Sequence, residues 1–95
     1  MGKKTVDFTK SGIGKLPDNW PVMYRIKTDS GKTNYAGIAK RGRVQERLQE
    51  HLPQGKDYVP SSKVQIEQTS SIDHAKEKET RVIARTKPKY NDRGK

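Results

Sequence analysis

The sequence contains no cysteine and only one tryptophan and one phenylalanine among 95 residues. The absence of cysteine excludes disulfides, thiolate-bound zinc and thiol nucleophiles, and it fits a cytoplasmic protein. Hydrophobic residues make up 28% of the chain, and no apolar run approaches the roughly 18 residues of a membrane-spanning helix. The sequence shows no leader of charged and then apolar residues, which would indicate secretion. We therefore expect one small cytoplasmic domain with a thin core and no membrane partner.

The charge balance is strongly basic. The 21 Lys and Arg residues outnumber 11 Asp and Glu, which gives a net charge of +10. A field of that strength attracts polyanions, of which nucleic acid is the commonest. An anionic membrane is less favoured because a basic amphipathic anchor needs bulky apolar residues opposite its cations. The alternative is a surface whose charge serves only solubility.

Alternating apolar residues predict three strands, at residues 22–28, 33–39 and 63–69. The first two are joined by an Asp-Ser-Gly-Lys turn signal and are expected to form a hairpin. Gly37 removes a side chain next to Tyr35 on the second strand, which leaves space for a close approach to the backbone.

Two stretches show helical spacing. One covers residues 43–52, and the other is capped by Ser70 or Ser71 and ends near Thr86, before Pro88. The order β-β-α-β-α predicts a small α+β domain, a three-stranded antiparallel sheet flanked by helices. The expected divisions are an irregular, flexible basic arm at 1–15, the domain at 16–91 and a basic tail at 92–95.

The first predicted helix carries cations along one flank. Arg43, Arg47 and His51 recur every four residues and so line up on one side of a helix. Val44 and Leu48 begin an apolar row beside them, which indicates packing on a core. His51 falls at the border between the two rows.

The second predicted helix places Glu79 near the middle of its apolar face, among Ile72, Ala75, Val82 and Ile83. A carboxylate there costs several kcal/mol unless it is paired, protonated or metal-bound. Glu79 is therefore a candidate site residue. The alternative is a salt bridge to a nearby Arg or Lys.

Together these residues resemble the GIY-YIG nuclease superfamily, small α+β domains that cut DNA with a divalent metal. Val22-Met23-Tyr24 stands where the family has Gly-Ile-Tyr, and Tyr35-Ala36-Gly37 stands for Tyr-Ile-Gly. Arg47 and His51 match the family's Arg and His on the first helix. The closing pattern is matched, in order and spacing, by Ser71, Ala75, Glu79, Ile83, Pro88 and Asn91.

The sequence departs from the family in three places. Both triplets keep only part of their consensus. The gap from Tyr35 to Arg47 is a residue or two longer than is usual, so Arg43 is a rival for the arginine role. Lys56 or Tyr58 could fill a further family position in the loop after the first helix.

The resemblance implies a metal-dependent DNA endonuclease whose catalytic residues are Tyr24, Tyr35, Arg47, His51, Glu79 and Asn91. Glu79 would hold Mg²⁺ or Mn²⁺, and Arg47 would grip the scissile phosphate. Tyr24 and Tyr35 would orient the attacking water or take its proton. His51 is a candidate for general base, proton relay or structural residue, and Asn91 would close the site.

Nucleic-acid contacts are expected from Lys40, Arg41, Arg43 and Lys56. We expect a monomer that acts on DNA, with a role in repair or recombination and with a separate targeting protein as a further partner. The sequence does not separate DNA from RNA. The alternatives are a non-catalytic nucleic-acid-binding module of the same fold and a structural basic protein such as a ribosome-associated one.

Overall fold

The structure, a computed structural model, describes residues 2–92, with only the backbone of the last. Residues 93–95 of the predicted basic tail lie outside it. The elements are β1 (Lys3–Asp7), α1 (Lys10–Ile13), β2 (Val22–Lys27), β3 (Thr33–Ala39), α2 (Val44–Gln49), β4 (Lys63–Gln68) and α3 (Ile72–Thr86), followed by a 3₁₀ turn at Lys89–Asp92. The α+β class is as predicted, and the count of three strands was wrong.

The four strands form one antiparallel sheet in the order β1-β4-β2-β3. The predicted hairpin is β2 and β3, in which Tyr24 lies directly opposite Gly37. β3 is an edge strand, and β2 lies between β3 and β4. This order places Tyr24 in the interior of the sheet, one strand away from its edge.

The fourth strand, β1, lies in the segment that was predicted to be an irregular arm. Its residues pair with β4 from Lys3 opposite Glu67 to Asp7 opposite Lys63. Val6 is its only partly buried side chain, so the strand carries almost no hydrophobic alternation. Phe8, directly after β1, is buried in the core. The arm is therefore part of the folded domain.

The sheet is covered on both faces. One face packs against α1 and α2 and contains Val22, Tyr24 and Ile26 of β2. On the other face Met23 packs against α3, which lies over β2 and β3. Successive residues of β2 therefore pack into two separate apolar clusters, one on each face of the sheet, so this strand is buried on both sides.

The helix predicted at 43–52 ends earlier, at Gln49. The backbone then tightens: the N–H of His51 donates to the carbonyl of Leu48, and Leu52 to Gln49, three residues back in each case. Residues three apart in such a turn point the same way. His51 therefore follows the fully buried Leu48 into the core, and only 3% of it is exposed.

The last helix, α3, begins and ends as predicted. Ser71 is its N-cap, and the side-chain oxygen accepts a hydrogen bond from the N–H of His74 at 3.1 Å. The helix ends at Thr86, where Lys87 adopts a left-handed conformation before Pro88. Within residues 2–92, no helix has both the length and the apolar character needed to cross a bilayer.

Candidate active site

Tyr24 is placed by the residue opposite it. A Cβ built on Gly37 would lie 2.5 Å from the Tyr24 phenol oxygen and 2.6 Å from the adjoining ring carbon. Real side chains do not approach so closely, so only glycine allows this ring position. The space that the sequence predicts at Gly37 is therefore filled by the phenol of Tyr24.

Three rings meet where β2, β3 and the end of α2 come together. The rings of Tyr24 and Tyr35 are stacked with centroids 6.2 Å apart, and the His51 ring lies 4.6 Å from that of Tyr35. Tyr24 and His51 are buried, and Tyr35 is half-buried at the margin. Packing of this kind fixes the ring planes and makes His51 part of the cluster that holds both tyrosines.

A hydrogen-bonded chain runs through His51. Its Nε2 lies 2.9 Å from the Tyr24 hydroxyl oxygen, and its Nδ1 lies 2.8 Å from the backbone carbonyl of Asp57. A carbonyl only accepts, so Nδ1 carries the proton. In a neutral imidazole Nε2 then accepts, and the Tyr24 hydroxyl donates to it.

Burial sets the protonation of this pair. It lowers the pKa of His51 below its ordinary 6.5, although the hydrogen bond to Asp57 opposes the shift. Burial, with Tyr35 beside it, raises the pKa of the Tyr24 phenol well above its usual range, and the charge of Arg47 acts the other way. The resting pair is therefore a neutral phenol bonded to a neutral imidazole.

Glu79 lies half-buried on α3. Its carboxylate makes no hydrogen bond and no ion pair with any residue in the described range 2–92. Burial raises its pKa above 4.5, and Lys76, one turn earlier, opposes the shift. The alternative of a salt-bridged Glu79 is thus not met by any Arg or Lys within residues 2–92. The charge of Glu79 also contributes to the raised pKa of Tyr24, although α3 packs on the opposite face of the sheet from the Tyr24 side chain.

Glu79 fits a weakly held Mg²⁺ or Mn²⁺. Among the described side chains, those of residues 2–91, no group of three or more His, Cys, Asp or Glu is able to hold a metal. Mg²⁺ does not need one, because it typically takes one or two carboxylates and fills its other positions with water and substrate phosphate. A half-buried carboxylate that forms no ion pair with the described part of the chain is a donor suited to that role.

A groove of about 430 Å³ lies between α2 and α3 at the β3 edge of the sheet. Its lining residues are Ile38, Ala39, Lys40, Arg43, Arg47, Ile72 and Lys76. Asp18 anchors the start of α2, since its carboxylate accepts from the N–H of Val44 at 2.8 Å. The two arginines of α2 are thereby held beside α3.

The two candidate arginines both line this groove but differ in their surroundings. Arg43 pairs with Glu46 at 2.8 Å, and Arg47 makes a looser contact with Glu50 at 3.7 Å. The charge of Arg47 acts on the pKa values of both Tyr24 and His51. Arg47 is thus the arginine associated with the ring cluster.

Asn91, predicted to close the site, is bound to β3 through its side chain. Its side-chain oxygen accepts from the N–H of Ala36 at 2.9 Å, and its amide donates to the Ala36 carbonyl at 2.8 Å. Both polar groups are used on the outer edge of β3, next to Tyr35. Asn91 therefore positions β3 beside Tyr35.

Of the other cationic residues predicted to contact nucleic acid, only one lines the groove. Lys40 lines the groove, while Arg41 and Lys56 are exposed in loops and do not line it. Tyr58 is 42% exposed. The sequence analysis did not identify the Asp57 carbonyl, because every residue type has a backbone carbonyl. It also did not identify Lys76, although its position three residues before Glu79 on a helix could have indicated that the two side chains are close.

Comparisons with known proteins add no family assignment. No protein-family model matches the chain, and no curated protein matches it significantly. The GIY-YIG resemblance therefore stays a prediction carried by the residues quoted for it.

Proposed function

We propose that the chain is a metal-dependent endonuclease of GIY-YIG type that hydrolyses phosphodiester bonds in DNA. The observation that carries the proposal is the buried hydrogen bond from Tyr24 to His51, 2.9 Å long. The charges of Arg47 and Glu79 both act on the pKa of the Tyr24 phenol, Arg47 lowering it and Glu79 raising it. Phosphodiester hydrolysis needs these parts: a proton acceptor for water, a metal ligand and a cation for the phosphate.

Glu79 would hold the metal through its carboxylate. When bound, the ion supplies charge neutralisation at the phosphoryl group and makes bound water easier to deprotonate. The partial burial of Glu79 strengthens its electrostatic attraction for a cation. Lys76, one turn away, favours the ionised carboxylate that a metal requires.

The Tyr24–His51 pair would receive the proton of the attacking water. As the water O–H bond breaks, its proton passes to the Tyr24 oxygen, and the proton of Tyr24 passes to Nε2 of His51. No free phenolate forms, which suits a phenol whose pKa burial raises. The Asp57 carbonyl stabilises the resulting imidazolium through its hydrogen bond with Nδ1–H. His51 is then the general base, one of the roles that the sequence leaves open, and Tyr24 relays the proton to it.

Arg47 would neutralise the scissile phosphate. Its guanidinium is about half exposed and makes only a 3.7 Å contact with Glu50, so a phosphate can displace that contact. Tyr35 holds the His51 ring from one side and completes the wall of the site. Target choice would come from the DNA structure or from a separate targeting protein.

Cleavage of supercoiled plasmid tests the proposal. We expect nicked and linear product with Mg²⁺ or Mn²⁺ and intact plasmid with EDTA. The +10 charge and the cationic groove also suit a module that binds nucleic acid without cutting it. Plasmid that is retarded in a gel but stays uncut with each metal would favour that second function.

A further inference from the structure

The groove between α2 and α3 combines two kinds of surface. Its floor is apolar, made by Ile38, Ala39 and Ile72. Its rim is cationic, made by Lys40, Arg43, Arg47 and Lys76. Ile38 and Ile72 are only partly buried, so the floor remains open to a ligand.

The cationic rim alone would fit a phosphate backbone, but the apolar floor would also need an apolar group of the ligand to cover it. The backbone of a duplex offers charged and polar groups, and its bases are stacked inside the helix. An unpaired nucleotide offers both a phosphate and a flat apolar face that can lie on apolar side chains. The volume of about 430 Å³ falls within the range of roughly 300–1,000 Å³ that small-molecule sites occupy.

We propose that this groove is a subsite for one unpaired nucleotide, with its base on Ile38 and Ile72 and its phosphate at the cationic rim. The inference rests on the proposed function and names its substrate class. That class is polynucleotide with an unpaired nucleotide beside the bond that is cut.

The rim places this nucleotide next to the metal ligand. Lys76 precedes Glu79 by three residues, which is about 4.5 Å along the helix axis. Within the described range 2–92, neither Lys76 nor Lys40 forms an ion pair through its side chain. Both are therefore able to meet a phosphate without first giving up an acidic partner.

Binding measured without metal tests the subsite on the unaltered chain. The probes are fluorescent duplexes of equal length: one continuous, one with a single bulged nucleotide, and one with an abasic residue in the bulge. Anisotropy titration in EDTA should show the bulged nucleotide bound about tenfold tighter than either other probe, because contact of its base with the apolar floor adds to phosphate attraction. Equal binding of the nucleotide and abasic bulges would overturn the proposal.

A matched pair of variants locates the effect. Ile72→Ser should reduce the preference for the base to within about twofold. Ile83→Ser alters another half-buried isoleucine of α3 that does not line the groove, and it should keep the preference. Loss of the preference in both variants would refute the subsite, and circular dichroism checks that each remains folded.

The two proposals fail separately. Metal-dependent plasmid cleavage with no preference for the bulged base would leave the nuclease proposal standing and refute the subsite. A tenfold preference with no cleavage under any metal would support the subsite and refute the nuclease.

Discussion

Tyr24 lies directly opposite Gly37 in the β2–β3 pair, and its phenol oxygen occupies the space that a Cβ on Gly37 would need. This relationship lets the phenol cross its neighbouring strand and reach Nε2 of His51 at 2.9 Å. The glycine of the second signature triplet thus has a physical task, which is to make room for the tyrosine of the first.

Gly37→Ala should disturb this arrangement. The new methyl group would lie 2.5 Å from the phenol oxygen, so the ring must move away and its bond to His51 must lengthen. We expect a loss of about 1–3 kcal/mol in the free energy of unfolding, as for other overpacked cores, and reduced cleavage. Urea denaturation measures the first effect. Gly2→Ala, where a Cβ meets nothing within 4 Å, is the control and should be nearly neutral.

Tyr24→Phe removes only the hydroxyl. Because Nε2 of His51 then loses its buried donor, we expect a cost of about 1–3 kcal/mol in stability. Losing the proton relay should slow cleavage by about 10²–10⁴-fold. Tyr58→Phe, which changes an exposed tyrosine of the loop after α2, tests the other phenol that the resemblance allows. A Tyr24→Phe protein that cuts at the parental rate would remove the phenol from the mechanism.

Stability should depend on pH through His51. Burial lowers its pKa in the folded state, so below about pH 6.5 the unfolded chain binds the proton more readily. The free energy of unfolding should therefore fall as the pH drops from about 6.5 toward the lowered folded pKa. The partly buried Glu79 changes the free energy of unfolding in the opposite direction, because its raised pKa favours the folded state at low pH.

Comparison of the parent with His51→Gln isolates the histidine. Chemical denaturation at a series of pH values between about 5 and 7.5 should show a smaller acid-side loss in the variant. Two parallel curves would mean that His51 is equally basic in the folded and unfolded states. Cleavage by the parent should also fall once His51 is protonated, since the charged ring has no free Nε2 to accept from Tyr24.

The two arginines of the groove can be separated. Arg47→Ala should cost about 2–4 kcal/mol in the transition state for cleavage if Arg47 meets the developing charge. Arg43→Ala, which removes a side chain already paired with Glu46 at 2.8 Å, should cost less. Single-turnover rates on one duplex measure both. The reverse ranking would assign the phosphate to Arg43.

Much of this fold is readable from periodicity. The β2–β3 hairpin follows from alternation on either side of an Asp-Ser-Gly-Lys turn, and α3 follows from its apolar row and the Ser71 cap. The position of Glu79 on that row also follows, because a helix of this length keeps its period. These features depend on residues close together in the chain.

The features that sequence reasoning missed depend on distant partners. β1 has a single half-buried side chain, so its existence follows from pairing with β4, about 60 residues away. The inward turn of His51 follows from the tightened backbone after Gln49, which breaks the every-fourth-residue alignment of Arg43, Arg47 and His51. The Asp57 carbonyl that orients His51 is a backbone group without a sequence signature.

The most direct test is the metal-dependent cleavage rate of Glu79→Gln beside that of Glu77→Gln. Both variants remove one negative charge from α3, but Glu77 is exposed, whereas Glu79 is half-buried and its charge acts on the pKa of Tyr24. With Mg²⁺ and plasmid DNA, we expect Glu79→Gln to bind without cutting and Glu77→Gln to cut as the parent does. Equal cleavage by the two variants would contradict the assignment of Glu79 as the metal ligand, and with it the proposed site.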